Sequence, residues 1–81
     1  MERADLRKAK FLQANLHRAK LSFADLRHAN LKEARLTFAD LRNADLSGAN
    51  VTGTDFTDAD LRGTILTGVY MGDSITKRTK F

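Results

Sequence analysis

A large apolar residue stands at every fifth position of this chain, with no insertion or deletion from Leu6 to Met71. The stretch FADLRHANLKEARLTFADLRNADL, residues 23–46, shows the period most clearly. A small residue stands two positions before each large one and is Ala in eleven of the fourteen repeats. The fourteen large residues are Leu6, Phe11, Leu16, Leu21, Leu26, Leu31, Leu36, Leu41, Leu46, Val51, Phe56, Leu61, Leu66 and Met71.

Neither ordinary element of secondary structure gathers these residues into one core. On an α-helix, five residues advance by about 140° net, so the large residues would scatter around the axis. On a flat strand, an odd step turns each successive large residue to the opposite face. A chain that bends every five residues does gather them, with the large residue and the Ala pointing inward. The period therefore predicts a solenoid whose core is formed by the large residues from Leu6 to Leu66.

The three outward positions of each repeat indicate how the chain bends. Asp or Asn directly precedes the large residue in nine of fourteen repeats, and both bond readily to nearby backbone groups. Gly48, Gly53, Gly63 and Gly68 all follow a large residue by two positions, which predicts a corner with positive φ there. The phrase Ala-Asp-Leu-Arg recurs at a spacing of 20 residues, as expected if four sides complete one turn.

The repeat Ala-(Asp/Asn)-Leu-X-X resembles that of the pentapeptide-repeat family, from residue 4 to about residue 71. The resemblance implies an all-β fold, a right-handed, four-sided (quadrilateral) parallel β-helix solenoid of about 3.5 coils. We expect the β-helix to occupy residues 1–71, and residues 72–81 to form a C-terminal tail that caps the solenoid or contacts a dimer partner.

Composition excludes several classes of protein. There is no Cys, hence no disulfide, thiol nucleophile or zinc–thiolate site. No apolar run is long enough for a membrane-spanning helix, and the charged N-terminal segment lacks the apolar region of a secretory signal. We therefore expect a cytoplasmic protein without membrane insertion.

Catalytic and metal-binding residues are scarce in the sequence. His17 and His28 fall on different sides of the predicted coil, and Asp5, Asp25 and Asp45 would stack beside arginines. A packed rod also offers no concave site in which polar groups converge. We expect no enzyme, no cofactor and no metal.

The pattern favours a structural or protein-interaction module that acts through its outward side chains. Phe23 and Phe38 occupy outward corners that flank one side, and Arg42 lies on that side, so these residues are a candidate partner surface. The alternative is that each ring lies flat along its own coil. By family resemblance, the chain could instead bind DNA gyrase, although such relatives are strongly acidic and this chain has a net charge of +4.

A third interpretation is binding of nucleic acid or another anionic surface by the basic first coil. Its candidate residues are Arg3, Arg7, Lys8, Lys10, Arg18 and Lys20.

The ends of a solenoid expose core and backbone edges. The sequence predicts an apolar cluster at the C-terminal end, formed by Ile65, Val69, Tyr70 and Met71. This cluster predicts an end-to-end homodimer, and self-capping by the tail is the alternative. The chain could also be a fragment of a longer solenoid.

Overall fold

A computed structural model describes all of residues 1–81, and it shows four stacked coils of four sides each. Parallel bridges join residues 20 positions apart, from Asp5–Asp25 to Asp60–Lys80. We number the coils 1 (residues 1–20), 2 (21–40), 3 (41–60) and 4 (61–81). The sides are named by their bridging positions: first (5, 25, 45, 65), second (10, 30, 50), third (15, 35, 55, 75) and fourth (20, 40, 60, 80). Each bridge is isolated, so the sides are single bridging positions and not extended strands. The chain forms no helix, and therefore none that is long and apolar enough to cross a membrane.

In the repeat 24–28, every backbone N–H finds an acceptor. The Ala24 N–H donates to the carbonyl of the preceding large residue at 3.1 Å. The N–H groups of Asp25, Leu26 and His28 donate to neighbouring coils at 2.8–2.9 Å. The Arg27 N–H donates to Oδ1 of Asp25 at 3.2 Å. Because all nine Asp and Asn at that position accept the same bond, the turn explains their recurrence.

The corners are type II β-turns. The N–H of the small residue donates to the carbonyl of the large residue three positions earlier. The residue directly before the small residue has positive φ. Gly48, Gly53, Gly63 and Gly68 occupy such corners. Eleven corners carry a side chain instead, with φ between 54° and 62°. The side chains at these corners therefore stand in a left-handed conformation that most residues adopt reluctantly.

The core is the inward column of each side in coils 2 and 3, and it extends to Leu61 at the start of coil 4. The large residues from Leu21 to Leu61, with the Ala residues between them, are buried. Four residues expected in the core, Leu6, Phe11, Leu16 and Leu66, are only half-buried. They lie in coils 1 and 4, where a neighbouring coil packs on one side only.

Three threonines replace the usual small inward residue, and each satisfies its hydroxyl. Thr54 donates to the carbonyl of Leu31 in the preceding coil at 2.6 Å, and its side chain is fully buried. Thr64 and Thr79 make the same bond at 2.7 Å to carbonyls 23 residues earlier. A buried hydroxyl is thus accommodated without an unpaired polar group.

Residues 72–81, expected to form a separate tail, continue the winding. Ile75 bridges Asp55 and Lys80 bridges Asp60, so the solenoid has four coils rather than about 3.5. The second side of coil 4 departs from the pattern, since Tyr70 makes no bridge to Asn50. The Gly53 N–H bonds there to the carbonyl of Asp73, one residue beyond the regular register.

Candidate interaction surface

Phe23 and Phe38 lie at opposite corners of the fourth side. Phe23 follows the bridging residue Lys20, and Phe38 precedes the next bridging residue of that side, Asp40. We call this the Phe side; its outward residues include Lys20, Asp40 and Arg42, and its corners carry the two rings. Each ring is about half exposed, 50% for Phe23 and 49% for Phe38. Both residues have positive φ, 61° and 58° respectively.

An arginine from the preceding coil covers one face of each ring. The guanidinium carbon of Arg3 lies 4.6 Å from the ring centroid of Phe23, and that of Arg18 lies 5.0 Å from the centroid of Phe38. These are cation–π contacts, in which the ring quadrupole attracts the cation. The rings therefore take part in stacks that run along the corners.

His17 completes the surroundings of Phe38. Its ring meets the Phe38 ring edge-on at 5.8 Å and 82°, and its Nδ1 contacts the hydroxyl of Thr37. Neither this contact nor the arginine stacks are among the sequence-based predictions. The spacing of 20 residues between Arg3 and Phe23, and between Arg18 and Phe38, is the signal that could have found the stacks.

Every Asp on the Phe side is held by an Arg. Arg42 binds Asp40 with two nearly parallel bonds of 2.9 and 2.8 Å, a geometry that orients both side chains. Arg62 holds Asp60 in the same way and lowers the pKa of that carboxyl to about 2. The corner residue Asp58 is bound by Arg78, which lowers its pKa.

Four cations of the Phe side make no ion pair, namely Arg3, Arg18, Lys20 and Lys80. Two of them are the arginines that cover the rings. The side therefore combines neutralised carboxylates, exposed apolar rings and unpaired positive charge.

The six residues expected to bind anions surround coil 1 without forming one patch. Lys10 and Lys20 lie on different sides, and Lys8 lies at a third corner away from Arg3 and Arg18. Arg7 is occupied by Asp5 at 2.8 Å and also approaches Asp25 at 3.8 Å. The cations form a ring around the rod. Three of the six already contact a partner group: Arg7 binds Asp5, and Arg3 and Arg18 each lie over a Phe ring.

The residues of the expected C-terminal cluster do not share one surface. Ile65 is exposed on the first side, whereas Tyr70 is exposed on the second side with its ring against Gly72. Val69 and Met71 point inward and are half-buried against the core at the open end of coil 4. The end-to-end homodimer stays a prediction, and it would have to form through these inward residues.

The surface has no deep cavity and no metal cluster. Asp5, Arg7 and Lys8 line a shallow open depression without apolar lining. No three His, Cys, Asp or Glu side chains lie close enough together to hold a metal ion.

Comparison with protein families identifies the repeat. The family model described as pentapeptide repeats (8 copies) matches residues 1–37 and 34–73. The right-handed, four-sided β-helix that the family resemblance implied is thereby confirmed. A comparison with curated proteins finds no match.

Several solved structures are similar to the chain. The pentapeptide repeat protein Rfr23 from the cyanobacterium Cyanothece 51142 is 35% identical, with a TM-score of 0.59 over 99% of this chain. A pentapeptide repeat protein from the thylakoid lumen of Arabidopsis thaliana is 28% identical over 94% of this chain, with a TM-score of 0.45. HetL from Nostoc sp. strain PCC 7120, described as involved in regulating heterocyst differentiation, is 32% identical over 98%, with a TM-score of 0.34.

The chain spans 58% of the length of Rfr23, 57% of the Arabidopsis protein and 43% of HetL.

Proposed function

Because this chain belongs to the pentapeptide-repeat family, we propose that it is a non-catalytic rod that binds a protein partner through its Phe side. The observation that carries the proposal is the pair of half-exposed rings, Phe23 and Phe38, at opposite corners of one side. Exposed aromatic residues beside Arg are typical of the residues that contribute most to protein–protein binding.

The backbone conformation at the two rings supports this function. A corner with positive φ suits Gly, Asn and Asp, and the corners from Asn43 to Gly68 carry only those residue types. Phe23 and Phe38 place a bulky ring in the same conformation. The other nine corner side chains with positive φ are polar, so Phe23 and Phe38 are the apolar exceptions at these corners.

The Phe side is also held in shape before a partner arrives. Three consecutive bridges, Lys20–Asp40, Asp40–Asp60 and Asp60–Lys80, pair its whole length. The ion pairs of Arg42 and Arg62 fix the long side chains between the corners. Binding to a preorganised surface loses less conformational entropy than binding to a mobile one.

Two variants, one substituted at the Phe side and one on another side of the solenoid, test the proposal. Asn in place of both rings (Phe23→Asn with Phe38→Asn) removes the aromatic surface and suits positive φ, so the folded rod should be at least as stable. Leu12→Asn is the matched control, because Leu12 is equally exposed, at 54%, but lies on the second side. The native chain and both variants are immobilised, and the proteins each retains from an extract of its own cells are quantified by mass spectrometry.

We expect at least one protein to be retained by the native chain and by Leu12→Asn, and to be depleted about tenfold by the double Phe variant, as loss of a binding hot spot predicts. Equal retention by all three chains would overturn the proposal. Thermal unfolding of each variant confirms that the comparison is made between folded rods.

A further inference from the structure

We propose that the segment bound by the Phe side is acidic and also carries apolar side chains. The inference rests on the proposed function, because it specifies the chemistry of the partner at the same surface. The observation that supports it is the difference between the charges of the Phe side that are paired within the chain and those that are not.

Three of the four side-chain carboxylates of the Phe side are neutralised within the chain, because Asp40, Asp58 and Asp60 each bind an Arg. Glu2 accepts the hydroxyl of Ser22 at 3.0 Å but makes no ion pair, so one negative charge stands against the four unpaired cations Arg3, Arg18, Lys20 and Lys80. No comparable group holds the positive charges of Lys20 and Lys80. The unmatched charge of this surface is therefore positive, and a complementary partner surface is negative.

Arg3 and Arg18 are placed to bind carboxylates. Each guanidinium lies over a ring, which removes part of its hydration while leaving its planar edge of N–H donors without an ion-pair partner. Arginine in this state binds a carboxylate with two parallel bonds. The exposed half of each ring lies beside the cation and offers an apolar contact. Each corner thus presents one charged and one apolar contact within a few ångströms.

The same arrangement disfavours a nucleic acid. A nucleic acid carries a phosphate at every nucleotide, but the centre of the side has no free cation to bind one, because Arg42 and Arg62 are already paired with Asp40 and Asp60. A peptide can place carboxylates at the corners and leave the centre uncharged. No other side matches this combination, since only the fourth side has a half-exposed Phe ring at both of its corners.

Selection from a random dodecapeptide display library tests the inference with the folded chain as target. Retained peptides are sequenced, and their affinities are measured for three versions of the chain that differ in charged residues. These are the native chain, the variant Arg18→Gln with Lys20→Gln, and the control Lys10→Gln with Lys32→Gln. The control removes two cations from the second side, neither of which makes an ion pair.

We expect Asp and Glu to be enriched about threefold among retained peptides, together with apolar residues, as charge complementarity requires. Their affinity should fall about tenfold in the Arg18/Lys20 variant and change less than about twofold in the Lys10/Lys32 control. Single-stranded DNA should not displace them at physiological salt.

The outcomes separate the inference from the function on which it rests. Peptides that need Phe23 and Phe38 but lack acidic residues would overturn the inference and leave the binding function standing. Peptides that bind the double Phe→Asn variant equally well would overturn the proposed function. Displacement by DNA would replace the acidic protein segment with a nucleic acid, and the absence of any retained peptide would overturn both proposals.

Discussion

The imidazole ring of His28 lies over Gly48, one coil further along the chain. A Cβ built on Gly48 would lie 2.6 Å from Nδ1 of His28, closer than real Cβ contacts allow. Asn43 stands over Gly63 in the same way. At these corners glycine therefore serves twice: it adopts positive φ, and it leaves room for the side chain of the preceding coil.

Substitution of Gly48 by Ala should destabilise the rod more than the same change at Gly68. Both glycines have similar positive φ, 69° and 72°, but a Cβ on Gly68 would meet nothing within 4 Å. Gly68→Ala should therefore lose only about 1 kcal/mol of unfolding free energy, from backbone strain. Gly48→Ala should lose about 1 kcal/mol more, because the His28 ring must move. Urea denaturation measures both values.

Removal of the His28 ring provides the control. In the double variant His28→Ala with Gly48→Ala, the additional loss at Gly48 should disappear, leaving the loss seen at Gly68. A double-mutant cycle isolates this coupling. If the two changes were additive, steric contact between His28 and Gly48 would not be the reason for the glycine.

Leu41 should be among the most sensitive core positions. Its side chain is fully buried in the centre of the rod. Leu41→Ala should lower the unfolding free energy by about 2–5 kcal/mol through lost apolar burial and a cavity. Leu6→Ala, at a half-buried position in coil 1, should lower it less. Equal losses at both positions would show that coil 1 is as well packed as the centre.

The Thr54 hydroxyl should contribute to stability through its bond to Leu31. Thr54→Val keeps the shape of the side chain but removes the 2.6 Å hydrogen bond to the Leu31 carbonyl. We expect a loss of about 1 kcal/mol, since that carbonyl still accepts the Ala34 N–H. Thr52→Val, at an exposed turn position, should change stability by less than about 0.5 kcal/mol. Thermal unfolding of the two variants distinguishes a buried hydrogen bond from a general effect of Thr→Val.

Asp60 should make stability depend on acid pH. Its pKa is lowered from 3.8 to about 2, chiefly by the bonds from Arg62. Its contribution is therefore complete above about pH 4 and is lost as the pH falls towards 2. Asp60→Asn keeps an oxygen for the Arg62 backbone N–H, as Asn does at residues 15, 30 and 50.

The Asp60→Asn chain should be less stable than the native chain at neutral pH by up to about 1 kcal/mol, the range for exposed ion pairs. This difference should shrink between pH 4 and pH 2, when the native carboxyl becomes protonated. Asp55→Asn serves as the control, because Asp55 makes no ion pair and bonds to Thr57 instead. A difference that stays constant down to pH 2 would contradict the assigned role of the Arg62 pair.

Local contacts explain why so much of the fold was predictable. The repeat 24–28 contains the groups that define its turn: Asp25 bonds within the repeat, and the Ala24 N–H bonds to the residue three positions earlier. Only a chain that turns at each repeat can place Leu26 and every other large residue in one core. The period of five therefore predicts a solenoid, its inward residues and its corners.

Contacts between coils were less accessible from the sequence, because they depend on the direction that a corner side chain takes. The stacks of Arg3 on Phe23 and of Arg18 on Phe38 are of this kind. Residues 72–81 are another case, since their sequence departs from the repeat although pairing with coil 3 keeps them wound.

The sequence alone thus determined the repeat and the residues that face inward, because both depend on bonds within or next to one repeat. The right-handed, four-sided coil followed from the resemblance to the pentapeptide-repeat family. Only the tertiary structure decided which outward residues meet. It placed Arg18 on Phe38 and left Lys20 without an ion pair. The physical reason is that outward side chains interact across coils, 20 residues away, where the period fixes their neighbours but not their rotamers.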